Sequence, residues 1–127
     1  MHKITFYPLG NADCCKIDLD NGRKLIFDYA HAKSSEDKND KRIDLANTLK
    51  EELNNDNCSE IDVLGFTHAD TDHVLGASEF FYFDYAKKYQ GNDRIKFKEL
   101  WVPAAFIVET GLSDDAMVIQ KEAKHRL

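Results

Sequence analysis

The densest group of chemically active side chains in this sequence lies in one six-residue segment. Two histidines and two aspartates occur there: His68, Asp70, Asp72 and His73. Imidazole and carboxylate groups together are ligands that divalent cations such as zinc and manganese take in proteins. The apolar run at residues 61–66 predicts a strand before the segment, and helical spacing follows it. Four side chains on one tight strand-to-helix turn can converge on a point, so the sequence predicts a metal site here.

Helix capping is the alternative explanation for these residues. Asp70 or Asp72 could be the N-cap of a helix that begins before Val74, with His73 in its first turn. Capping accounts for one aspartate, but not for a second aspartate and two histidines. The metal site is therefore the favoured interpretation, and a capped helix without a metal stays open as the other.

The pattern Thr-His-Ala-Asp-Thr-Asp-His at residues 67–73 resembles the signature loop of the metallo-β-lactamase superfamily. The commonest pattern in that superfamily is His-x-His-x-Asp-His, and Asp70 stands here in place of the second histidine. The hydrolase domain of the bacterial DNA-uptake (competence) channel family has aspartate at this position, so the sequence is more similar to that branch. A short motif of this kind carries weight only in a strand–loop–helix context.

The resemblance implies a site with two divalent ions, zinc or manganese, with magnesium also suited to the added oxygen ligand. His68 and Asp70 would hold the first ion, and Asp72 and His73 the second, so that Asp72 also counts as catalytic. A hydroxide that bridges the two metals would be the nucleophile.

Asp28 is a further site residue that the resemblance implies. It follows the predicted third strand, where the sequence is Ile-Phe-Asp-Tyr-Ala. In the superfamily an aspartate at this point lies beneath the metal loop and orients it. The residue alone equally allows a strand-end aspartate that bonds its own backbone. The usual glycine after this aspartate is replaced by Tyr29 and Ala30.

The remaining pattern predicts an α/β (α+β) fold in a single domain, residues 1–127. Strands are expected at residues 4–7, 14–19, 23–29, 61–66 and 99–104. Helices are expected at 43–53, 74–89 and from 114 to the end with Ser113 as N-cap, and residues 31–42 form an exposed polar loop. By resemblance, this order matches the N-terminal half of a metallo-β-lactamase-like αββα sandwich, with a mixed sheet and helices on one face.

Composition limits the partners of the chain. A formal net charge of −6 argues against a basic nucleic-acid-binding surface. It leaves a phosphodiester substrate open, because bound cations would reverse the local charge. No apolar run is long enough to span a bilayer and no signal-peptide pattern opens the chain, so a cytoplasmic location is expected. Cys14, Cys15 and Cys58 form neither a disulfide framework nor a C-x-x-C site.

The later ligands of the superfamily, a histidine, a bridging carboxylate and a last histidine, have no matching motif here. His125 is the only histidine after His73, and it is interpreted as an exposed helix residue. His2, at the terminus, is interpreted as inert. His31 follows a predicted strand end and could face the site, but a surface position is the favoured interpretation. The expected function is metal-dependent hydrolysis, of phosphodiesters such as nucleic acid first and of thioesters or lactams second. The chain is expected to be an incomplete fragment that binds metal weakly and has little activity alone.

The alternative function is a catalytically inactive half-domain that acts as an interaction or assembly module. In either case the open face of a half-domain would be covered by self-association or by the missing C-terminal half.

Overall fold

The computed structural model describes residues 1–10, 12–31, 39–40, 42–85, 90–91, 93–112 and 114–127, and of Asp72 the backbone only. Within these residues five strands form one sheet: β1 (Lys3–Phe6), β2 (Cys15–Asp18), β3 (Lys24–Phe27), β4 (Glu60–Gly65) and β5 (Lys96–Trp101). The helices described are α1 (Leu45–Asn55), α2 (Thr71–Val74), α3 (Ala77–Phe80), α4 (Ala104–Val108) and α5 (Asp114–His125).

The strands lie in the sheet in their chain order, β1-β2-β3-β4-β5. The first two pairings are antiparallel hairpins, and β3–β4 and β4–β5 are parallel. Parallel neighbours need a crossover connection, which α1 provides between β3 and β4. The sheet is therefore mixed, and the predicted α/β (α+β) class is confirmed.

One face of the sheet is covered by α1. Asp44 caps this helix, since its carboxylate accepts a hydrogen bond from the Asn47 N–H at 3.3 Å. Its leucines recur every fourth position, and all three are fully buried: Leu45, Leu49 and Leu53. From the same helix, Glu52 accepts hydrogen bonds from the Tyr7 hydroxyl at 2.7 Å and from the buried ammonium of Lys16 at 3.2 Å. These contacts fix the helix on the sheet face to which Lys16 belongs.

The opposite face of the sheet is mostly apolar and partly exposed. Register places Phe6, Cys15, Phe27, Gly65 and Trp101 in one row across all five strands, and Ile4, Ile17, Leu25, Val63 and Glu99 in another on the same face. Exposure reaches 77% for Phe6, 56% for Ile4 and 49% for Trp101. We call Ile4, Phe6, Ile17, Leu25, Phe27 and Trp101 the open sheet face.

Gly65 is required in this row because the Phe27 ring lies directly over it. A β-carbon at position 65 would overlap Cδ1 and Cε1 of Phe27. The ring continues across the glycine to Trp101, with 5.9 Å between the ring centroids. The packing of Phe27 on the last residue of β4 thus requires a glycine at position 65, shortly before the 68–73 segment.

Gly65→Ala is expected to lower the free energy of unfolding by about 1–3 kcal/mol, because the Phe27 ring must leave its place. Urea unfolding of the wild type and the variant measures the difference. In a Phe27→Leu background, where no ring covers position 65, the same change should cost much less. Equal costs in the two backgrounds would contradict this packing.

The helix predicted over residues 74–89 is wrong. The chain forms the short helices α2 and α3, and Gly76 between them has φ +82°, a left-handed conformation that interrupts a helix. After α3 the chain is extended: Phe81 bridges Ile95, and Phe81 and Phe83 are fully buried while Tyr82 is partly exposed. This alternation of buried aromatics outweighs the helical spacing. Residues 86–89 lie outside the described residues.

Two further predictions changed at the C-terminal part. The fifth strand begins and ends earlier than residues 99–104, and Pro103 lies at the N-cap of α4, a helix that was not predicted. The predicted terminal helix is confirmed as α5, but its proposed cap Ser113 lies outside the described residues, as do positions 32–38 and 41 of the predicted polar loop. Within the described part of the chain, no helix is both long enough and apolar enough to cross a membrane.

Candidate metal centre

The 68–73 segment has the strand–loop–helix context that its motif requires. It follows β4 directly and runs into α2. Backbone hydrogen bonds hold it against the residues after β3: the Tyr29 N–H donates to the His73 carbonyl at 3.0 Å, and the His31 N–H donates to the Leu75 carbonyl at 2.8 Å. We call residues 67–75 the site loop.

Asp28 lies beneath the site loop and bonds to Thr67. Its Oδ1 accepts a hydrogen bond from the Thr67 N–H at 2.8 Å, and its Oδ2 accepts one from the Thr67 hydroxyl at 2.7 Å. Its backbone has φ +59° and donates to the Gly65 carbonyl at 2.8 Å. Aspartate is among the few residues with a side chain that adopt this left-handed conformation readily. The carboxylate therefore ties the end of β3 to the first residue of the site loop.

The site loop brings the two motif histidines together. The ring centroids of His68 and His73 are 4.7 Å apart. His68 is exposed, and its Nδ1 lies 3.0 Å from the Thr67 hydroxyl. His73 is more buried, and its Nδ1 lies 3.2 Å from Oδ2 of Asp28 and 3.6 Å from Oδ2 of Asp13. Neither approach has hydrogen-bond geometry, so this buried nitrogen lacks a hydrogen-bond partner among the described residues.

The two motif aspartates are less well placed. Asp70 occupies the N-cap position of α2, but its side chain makes no capping hydrogen bond. A capping role therefore does not explain why residue 70 is an aspartate. The side chain of Asp72 lies outside the described residues. Among the side chains that are described, no group of three or more histidine, cysteine, aspartate or glutamate residues is placed to hold a metal ion.

The site loop carries the donor types, imidazole and carboxylate, that a divalent cation takes in proteins. Two imidazoles lie side by side, and the Asp70 carboxylate is in the same turn without a capping bond. Thiolate ligands fit less well, because burial raises the pKa of the Cys14 thiol far above its ordinary value and also raises the pKa of Cys15.

Comparisons with protein-family models, with curated proteins and with solved structures find no match for this chain. The chemistry of the site is therefore inferred from its own side chains.

A cleft of about 300 Å³ lies beside the site loop. Asp70 and Leu75 line one wall, and Leu112 and Asp114 line the other at the start of α5. The neighbouring Asp115 holds the two walls together, because its carboxylate accepts hydrogen bonds from the Gly76 N–H at 3.1 Å and the Ser78 N–H at 2.9 Å. Thus the Asp115 carboxylate of α5 caps the N-terminus of α3, and the cleft has acidic groups on both sides.

Sequence reasoning missed three residues around the site. Thr67 connects Asp28 to His68. Its position immediately before the motif could have indicated a hydroxyl within reach of the His68 ring. Asp13 approaches His73 from the turn between β1 and β2, a contact that no local pattern indicates. His31 was interpreted as a surface residue, yet its Nδ1 accepts a hydrogen bond from the Ala46 N–H at 3.2 Å and so links the end of β3 to α1.

Proposed function

We propose that this chain is the metal-binding half of a hydrolase of the metallo-β-lactamase superfamily, with a phosphodiester as its substrate class. The observation that supports this most is the arrangement at the end of β4, where a buried carboxylate holds a histidine-bearing loop in a strand–loop–helix context. His68 and His73, together with Asp70 and Asp72, would hold zinc or manganese. A bound divalent ion would supply Lewis-acid polarisation of a phosphoryl oxygen.

The chain's own residues set the conditions for this chemistry. Asp28 fixes the first residue of the site loop, and the backbone bonds of Tyr29 and His31 fix its far end. The adjoining cleft carries Asp70 and Asp114 and therefore repels a phosphate when no cation is present. Substrate binding is thus coupled to cation binding, which reverses the local charge. The cytoplasm suits this proposal because all three cysteines are free thiols.

A second function, a non-catalytic assembly module, is supported by the open sheet face. Phe6, Ile4 and Trp101 expose about half or more of their surface on one apolar sheet face. A sheet normally buries such a face against another layer. In this alternative the layer is a second copy of the chain or the other half of the domain, and the site loop has only a structural role.

Calorimetric titration of the chain with manganese and with zinc tests the metal proposal. We expect weak, saturable binding that is lost in His68→Ala and in His73→Ala, because each variant removes one of the two adjacent imidazoles. His125→Ala is the matched control, since that histidine is exposed on α5 and stacks on Tyr85 outside the loop. Binding that is equal in all four proteins would overturn the site, and no binding of either ion would favour the assembly module.

A further inference from the structure

The Thr67 hydroxyl lies between the Asp28 carboxylate and the His68 ring, and it can donate its one proton to only one of them. Its oxygen is 2.7 Å from Oδ2 of Asp28 and 3.0 Å from Nδ1 of His68. A hydroxyl has one proton to donate, and its oxygen can accept at the same time. The positions of two protons are therefore linked: the one on the Thr67 hydroxyl and the one on the His68 ring.

Only one arrangement of these protons satisfies all three groups. An ionised carboxylate can only accept, so the hydroxyl proton must point to Asp28. The reverse arrangement would place two oxygens with lone pairs against each other at 2.7 Å. With its proton used on Asp28, the hydroxyl can only accept from His68. Nδ1 of His68 must then carry the ring proton.

We propose that Thr67 is a positioning residue that fixes His68 in the tautomer with its proton on Nδ1 and its lone pair on Nε2. Nε2 is then the atom that His68 offers to a cation. The hydrogen bond made by one ring nitrogen decides which nitrogen is free to bind a metal. The link from this tautomer to metal binding rests on the proposed function. The tautomer itself is a property of the metal-free chain.

Asp28 is the fixed end of this chain of hydrogen bonds. Its Oδ1 is held by the Thr67 backbone N–H at 2.8 Å, so the carboxylate cannot turn without losing that bond. For this reason the proposal predicts a definite result for Asp28→Asn. The amide oxygen must stay on the Thr67 N–H, and the amide nitrogen then donates to the Thr67 hydroxyl. The hydroxyl proton is released to His68, and the tautomer should reverse.

Nitrogen-15 NMR of the imidazole rings measures the tautomer directly in metal-free protein, at a pH where the ring is neutral. We expect the Nδ1–H form of His68 in the wild type and in Thr67→Ser, which keeps the hydroxyl. Thr67→Val has the same shape without the hydroxyl and should give a mixture of the two tautomers. Asp28→Asn should give mainly the Nε2–H form.

The wild-type spectrum alone can overturn the proposal, even where a variant does not fold. An Nε2–H tautomer in the wild type would contradict it, and so would a Thr67→Val spectrum equal to that of the wild type. In the zinc titration, Thr67→Val should weaken binding by about 10-fold and Thr67→Ser should restore it. The expected tautomer without zinc binding would contradict the proposed function and leave the role of Thr67 intact.

Discussion

Glu122→Ala is expected to lower the free energy of unfolding by about 3 kcal/mol, near the lower end of the cost of breaking a buried ion pair. The Glu122 carboxylate is 1% exposed and accepts hydrogen bonds from the backbone N–H groups of Asp84 and Tyr85, at 3.3 and 3.1 Å. It also pairs with the Arg126 Nε at 2.8 Å. The substitution leaves two N–H groups without an acceptor and a guanidinium without its main partner.

Urea unfolding measures this cost. Glu122→Gln keeps an acceptor for the backbone and should lose less than Glu122→Ala. Lys121→Ala, at an exposed position of the same helix, is the matched control and should change stability by less than about 0.5 kcal/mol. A Glu122→Ala variant as stable as Lys121→Ala would show that α5 is not held to the 84–85 segment in this way.

Asp28→Ala is expected to cost about 2–4 kcal/mol, because two hydrogen bonds to one charged acceptor are lost together. Alanine also tolerates φ +59° less well than aspartate does. Asp28→Asn keeps the acceptor for the Thr67 N–H and suits the left-handed backbone, so it should cost clearly less. Asp28→Gly separates the two effects, since it removes the carboxylate and keeps the backbone freedom.

Urea unfolding of the three Asp28 variants gives the order of stability, with asparagine above glycine and alanine. Hydrogen exchange at the Thr67 amide gives a local readout, because its acceptor is Asp28 Oδ1. Faster exchange is expected in Asp28→Ala and Asp28→Gly. If the Thr67 amide stayed protected in both, the site loop would not depend on this carboxylate.

Local patterns in the sequence predicted the elements that pack by simple periodicity. α1 was expected from its leucine spacing, β4 from its apolar run, and α5 from its acidic first turn. The long helix after the site loop was not obtained, because Gly76 and the buried pair Phe81 and Phe83 override the helical spacing. Whether such residues form a helix or an extended segment depends on how they pack in the whole core, which local spacing does not show.

The candidate site was predictable in its residue types and less so in its contacts. The Asp28–Thr67 bonds exist because β3 and β4 are parallel and Phe27 is in register with Gly65. Local patterns do not indicate that register, because a long connection through α1 separates the two strands; only the resemblance implied that Asp28 lies beneath the loop. The position of His73 Nδ1 beside the carboxylates of Asp28 and Asp13 depends likewise on tertiary packing.

Manganese-induced broadening of NMR signals tests the central claim, that the site loop is a divalent-metal site. Manganese is paramagnetic and broadens the signals of nuclei close to it. At small additions of manganese, the signals of residues 67–75 and of Asp28 should broaden first in the wild type and stay sharp in His68→Ala. Broadening centred on another acidic region such as Asp18 and Asp56, or unchanged in His68→Ala, would contradict the claim.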